Sequence, residues 1–138
     1  MNIRRDTLRR VGFLLVVLHA LVTTPHSIAH TNLHIAMDVW QNVYIFLVIV
    51  LGPIVAAVLI WKRKTSGFVL LAISMAGSFL FGGYYHFIAI GSDNIFALPT
   101  SAWTTTFQLT AWLLALTELA GAVVGILGIA KSFGTIQS

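Results

Sequence analysis

Four apolar stretches divide the chain, over about 11–29, 38–61, 67–90 and 103–130. Each comes close to the ~20 residues a helix needs to cross a bilayer. Polar residues and helix breakers separate them. Thr31-Asn32 follow the first stretch and Lys62-Arg63-Lys64 the second. Ser92-Asp93-Asn94 and Pro99-Thr100-Ser101 bracket the link after the third. The pattern predicts an all-α membrane protein, a four-transmembrane-helix bundle forming a single domain over 1–138. Pro25 is expected to kink or end the first helix near its outer end. Gly52-Pro53 is expected to kink the second near its middle, which lipid-buried helices tolerate where neighbours satisfy the freed carbonyls.

Charge orients this bundle. The eight Lys and Arg residues fall at the N-terminus, between spans two and three, and at the C-terminus. With four spans these places share one side, which the positive-inside rule makes cytoplasmic. Both termini are therefore expected in the cytoplasm, in a multi-pass protein of the inner membrane. A competing pattern lies in the first stretch. Arg4 to Arg10, an apolar run and the small residues Ser27 and Ala29 also fit a secretory signal peptide. Cleavage after Ala29 would leave three spans with His30 at the new N-terminus, and the outer side would be unchanged.

Composition sharpens the class. Only 9% of residues are charged and 58% are hydrophobic, where a soluble domain carries about a quarter charged residues. The absence of cysteine excludes disulfides, thiolate metal sites, iron–sulfur clusters and thiol redox chemistry. The basic residues are juxtamembrane rather than spread over a soluble face, so they imply no nucleic-acid partner. The expected partners are the lipid bilayer and either further copies of the chain or other membrane subunits.

Small residues mark packed faces. Ser74, Ser78, Gly82 and His86 recur at steps of four. In span four, Ala111, Ala115, Glu118, Gly121, Gly125 and Gly128 recur at steps of three and four, with Gly121 and Gly125 forming a GxxxG. Small residues let helix backbones approach closely in lipid. Packing alone explains the serines and glycines, but not the ionisable residues that share their stripes.

The candidate chemistry is a histidine set. His26, His30, His34 and Asp38 recur at steps of four, which on a helix is one face. A turn near Thr31-Asn32 would put His26 and His30 at the end of span one and His34 and Asp38 at the start of span two. Span three runs outward, so His86 reaches the same level, and Asp93 follows in the outer link. A single histidine there is explained by interfacial solvation; convergence of the set on one depth is not. Imidazoles with a carboxylate are the usual ligands of copper, zinc or iron. Two imidazoles on facing helices can also ligate haem. The density of His26, His30, His34, Asp38 and His86 favours an ion. Gln41 and Asp93 are expected to support these ligands.

Glu118 and His19 lie near the middles of spans four and one, at matching depth. A carboxylate at the bilayer centre costs roughly 3 kcal/mol on insertion scales unless paired or neutralised. A His19–Glu118 hydrogen bond, serving as a proton relay or as structural glue, is expected.

Two stretches carry a family resemblance. They are His30-Thr-Asn-Leu-His34 leading into Asp38-Val-Trp-Gln-Asn42, and Gly77 to Phe87 leading into Ser92 to Pro99. They resemble uncharacterised small four-span membrane proteins of bacteria and archaea. The resemblance implies four spans and no activity. The chain lacks the span-one acid of small multidrug exporters and the cysteines of quinone-linked oxidoreductases.

Three functions compete. The first is a metal- or haem-binding membrane protein with its histidines facing outward, as a subunit or assembly factor of a redox complex. The second is a small oligomeric proton-coupled transporter using Glu118 and His19. The third is a purely structural membrane subunit. No Ser-His-Asp order, phosphate loop or paired carboxylates support a stand-alone enzyme.

Overall fold

The computed structural model describes residues 3–134 and, among them, contains helices and links but no strand. Four long helices form one bundle: α1 (Ile3–Asn32), α2 (Val39–Trp61), α3 (Ser66–Ile88) and α4 (Thr104–Gly134). All four are long and apolar enough to cross a membrane. Residues 1–2 and 135–138 of the single domain expected over 1–138 lie outside the described residues.

The helices outrun the apolar stretches that announced them. α1 begins before the arginines and passes through Pro25 to Asn32, because neither charge nor a single proline forbids helix at these positions; the apolar run marks only the part long and apolar enough to cross a membrane. Its buried residues Gly12, Val16, His19, Val22, His26 and Ala29 recur at steps of three and four, a single stripe facing the bundle. Both apolar cores draw on this stripe. Val16 packs with Ala56, Ile60, Phe68, Leu71 and Met75 towards the basic end. Ala29 packs with Ile95, Phe107 and Ala111 at the histidine end.

The link from α1 to α2 is a helix stop of defined geometry. Ile35 N–H donates to the His30 carbonyl and His34 N–H to the Thr31 carbonyl, the two bonds of a Schellman motif. His34 occupies its left-handed position with φ of 53°, a place glycine ordinarily fills. Asp38 then caps α2: its N–H donates to Gln41 Oε1 at 2.7 Å and its carbonyl accepts from Asn42 N–H. The same stop recurs after α2. Lys64 N–H donates to Leu59 O and Arg63 N–H to Ile60 O, with Arg63 left-handed at φ of 60°.

Two helices are locally unwound. Residues Ile45–Leu51 of α2 are π-helical and lead into Gly52-Pro53. Pro53 has no N–H, so the Ile49 carbonyl lacks its α-helical donor. His19 Nε2 fills that place at 3.1 Å. The π-helical middle of α2 is thus tied to a side chain of α1. The second π-turn is Tyr84–Ile88, which ends α3 and carries His86.

Close approach of α3 and α4 depends on particular glycines. A Cβ at Gly125 would lie 2.6 Å from the Ala72 backbone nitrogen, and one at Gly121 would lie 2.7 Å from Met75 Cγ. Across α2 and α3, a Cβ at Gly52 would lie 2.8 Å from Ser74 Cβ. Ser74 and Ser78 are buried and bond back to carbonyls of their own helix. Gly82 differs from the rest of its stripe. A Cβ there meets only His86 and Glu118 at 3.6–4.0 Å, so this glycine keeps a cavity open rather than bringing helices together.

Candidate metal centre

At the end of the bundle opposite the Lys62–Lys64 link, three histidines from two helices meet. His26 and His30 lie one turn apart on α1, and the π-turn of α3 brings His86 against them. One ring nitrogen from each falls within 4.8 Å of the others. The ring centroids of His26 stand 5.0 Å from those of both His30 and His86. Phe107 of α4 packs on all three rings at 4.7–5.3 Å.

Each ring has an outer partner that orients it and determines which nitrogen holds the proton. His26 Nδ1 lies 2.9 Å from Thr110 Oγ1, whose own hydrogen goes to the Thr106 carbonyl at 2.7 Å. The hydroxyl therefore accepts from His26 Nδ1–H, which leaves the lone pair on Nε2. His86 Nδ1 donates to the Asp93 carbonyl at 3.2 Å and lies 3.1 Å from Asp93 Oδ1, which leaves its Nε2 bare. His30 Nε2 faces Asp93 Oδ1 at 3.1 Å, and its Nδ1 is buried without a hydrogen-bond partner. An ionised carboxylate only accepts hydrogen bonds, so the bare nitrogen of His30 is Nδ1. In their neutral form the three imidazoles each keep one unshared pair, the state in which they bind metal.

Asp93 is the shared outer partner. Burial pushes its carboxyl up, but the adjacent His30 and His86 rings outweigh burial and hold it below the usual carboxylate range. Its contribution to stability is therefore present at neutral pH and is lost only in strong acid. The link that carries it is braced at several points. Ile95 N–H donates to the His86 carbonyl, Asn94 Nδ2 to Ala89 O, and Gln108 Nε2 of α4 to Ile95 O. A carboxylate behind metal-binding imidazoles is the arrangement that fixes ring orientation and raises ligand basicity.

The site opens on a cavity of about 300 Å³ whose walls include His26, His30, His86, Met37, Asn42 and Glu118. Glu118 and His19 meet deeper in the bundle, with His19 Nδ1 3.9 Å from Glu118 Oε1 and both side chains buried. His19 Nε2–H is engaged by the Ile49 carbonyl, so its bare nitrogen is the one turned to Glu118. On its other side, Glu118 Oε2 reaches the space above Gly82 that His86 Nε2 also borders.

The structure separates the residues expected to act together. It assembles His26, His30 and His86 with Asp93 beside them, and it brings His19 near Glu118 without the expected hydrogen bond, since their 3.9 Å separation is too long for one. His34 and Asp38 do not join the group. The step-of-four spacing holds only while a helix continues, and α1 stops at Asn32. His34 is spent on the left-handed stop and Asp38 on the cap of α2, and both are exposed. Gln41 serves that same cap rather than supporting a ligand. Phe107 and Thr110 escaped the sequence reading. Phe107 sits one step of four before Ala111, so extending the span-four stripe outward would have reached it.

One prediction follows for His34. Glycine is at ease in the left-handed region, whereas other residues cost roughly 1 kcal/mol there. His34→Gly is expected to raise thermal stability in detergent by that amount while leaving metal stoichiometry unchanged. A loss of bound metal in this variant would return His34 to the ligand set.

No protein-family model, curated protein or solved structure matches this chain.

Proposed function

We propose that this protein spans the cytoplasmic membrane four times, with both termini inside, and binds one transition-metal ion at its outer end through His26, His30 and His86. The observation that carries this reading is the set of three clustered imidazoles, two buried and His30 half-buried, each with one nitrogen facing an outer partner and the other bare. Imidazole donors suit copper, zinc and iron. Three protein ligands beside a cavity leave a fourth position open, as in zinc sites that exchange water or substrate rather than closed structural ones. The site needs α1 to remain in the mature protein, since His26 lies on it. Haem fits less well than an ion: the three rings touch one another and Phe107, so no slot for a flat macrocycle separates any two of them. Service to a larger redox complex agrees with the short links, which offer little surface for a separate soluble activity.

The test is metal analysis of the detergent-purified chain after loading with zinc, copper or iron, together with its visible spectrum. One equivalent of metal without a Soret band is expected, released in acid because protonated imidazole cannot ligate. Absence of both metal and Soret absorption sinks the proposal.

A second reading is favoured by one specific observation: Glu118 lines the same cavity as the three histidines, and His19 lies behind it at 3.9 Å. Here the bound cation crosses the membrane in exchange for a proton carried by Glu118. Metal-driven proton flux in liposomes is then expected to disappear in Glu118→Gln. Flux that survives the substitution eliminates this reading.

A further inference from the structure

At the basic end of the bundle, a groove of about 770 Å³ lies between α1 and α2. Its walls combine two chemistries. Arg9, Arg10 and Arg63 line one part with Asp6, and Phe13, Leu14, Ile60 and Trp61 line the rest. Three guanidinium groups thus face one carboxylate. Asp6 organises the polar part: Arg9 Nη1 pairs with its Oδ1 at 2.8 Å, and Arg63 Nη1 stands 3.9 Å from the same oxygen. The Nε of Arg9 is buried and has no hydrogen-bond partner.

The apolar part is open. Trp61 and Leu14 expose most of their surface, and the rings of Phe13 and Trp61 approach to 5.6 Å. Arg63 is placed here by the helix stop after α2, at the left-handed position where glycine would be the easier residue. Lys62 and Lys64, its neighbours, are not among the lining residues. The groove therefore selects guanidinium, the cation that matches phosphate with paired, parallel hydrogen bonds.

We propose that this groove binds an anionic phospholipid of the inner leaflet. The phosphate sits on Arg9, Arg10 and Arg63, and an acyl chain lies along Phe13, Leu14 and Trp61. Charge complementarity selects the headgroup, since three arginines leave an excess of positive charge on the polar wall. Continuity of that wall with exposed aromatic and aliphatic surface selects a ligand that carries its own apolar tail. Basic pockets between membrane helices bind acidic headgroups in this way. The inference rests on the reading of the four helices as membrane spans and is independent of the metal centre.

Native mass spectrometry of the full chain in detergent tests it, with phosphatidylglycerol and phosphatidylcholine as probes. Phosphatidylglycerol is expected to be retained at least about tenfold more strongly. The preference is expected to vanish in an Arg10→Gln, Arg63→Gln variant and to persist in a Lys62→Gln, Lys64→Gln variant of equal charge change. All four side chains are exposed, so neither variant threatens the fold. Equal retention of the two lipids overturns the proposal. So does equal loss in the two variants, which would mean diffuse attraction rather than a site. Displacement of phosphatidylglycerol by millimolar inorganic phosphate would assign the arginines to a soluble anion and overturn it as well.

Discussion

Replacing His30 or His86 with alanine is expected to lower metal affinity by more than about 100-fold and to abolish one-to-one loading in dialysis with zinc or copper. Each substitution removes one of three donors and leaves two imidazoles that cannot close around an ion. Asp93→Asn provides the graded comparison. It keeps the size of the side chain but removes the charge that draws proton density from His30 and His86. Loss of an outer partner of this kind typically costs 10–100-fold in affinity. Asp93→Asn is therefore expected to weaken binding within that range while keeping the stoichiometry. The order matters more than either value. If Asp93→Asn loses as much as His30→Ala, the carboxylate is itself a ligand. If neither variant changes binding, any metal found resides elsewhere.

The two glycines of the GxxxG in α4 are expected to differ sharply. Gly125→Ala sets a methyl 2.6 Å from the Ala72 backbone nitrogen, and backbone cannot yield without separating α3 from α4. A loss of about 3 kcal/mol is expected, the upper part of the range for overpacked interiors. Gly121→Ala sets its methyl against Met75 Cγ at 2.7 Å. Methionine is unbranched and can adopt another rotamer, so a loss of about 1 kcal/mol is expected. Unfolding of both variants in mixed micelles, followed by circular dichroism, measures the difference. Equal losses would mean that the approach of α3 to α4 is not what these glycines serve. Because α3 carries His86 and α4 carries Phe107 and Thr110, Gly125→Ala is also expected to loosen the metal centre at a distance.

The division between sequence and tertiary structure runs along one physical line. Whatever depends on apolar length or on helical period within one uninterrupted helix was legible. The four long apolar helices follow from apolar runs of bilayer length, and the packed faces of α3 and α4 from recurring small residues. The nearness of His19 to Glu118 followed from equal depth on two helices, but not the 3.9 Å gap that leaves the pair without a hydrogen bond. His26 and His30 followed from one turn of α1, and the level of His86 from the direction of α3.

What lies across a helix end was decided only by the fold. The same step of four that joins His26 to His30 points on to His34 and Asp38. The helix stops between them, because a left-handed residue and a capped start turn the chain. The turn was expected near Thr31-Asn32, where α1 does end; the spacing does not say which residues beyond it come back to His26 and His30. The proton positions on the three rings were equally out of reach, since they depend on Thr110 and Asp93, distant along the chain. The identity of the ligand set is thus a tertiary property, while its depth in the bundle is a property of the sequence. Depth is set by how many apolar residues precede a position. Ligation is set by which nitrogen is left bare once every other partner is in place.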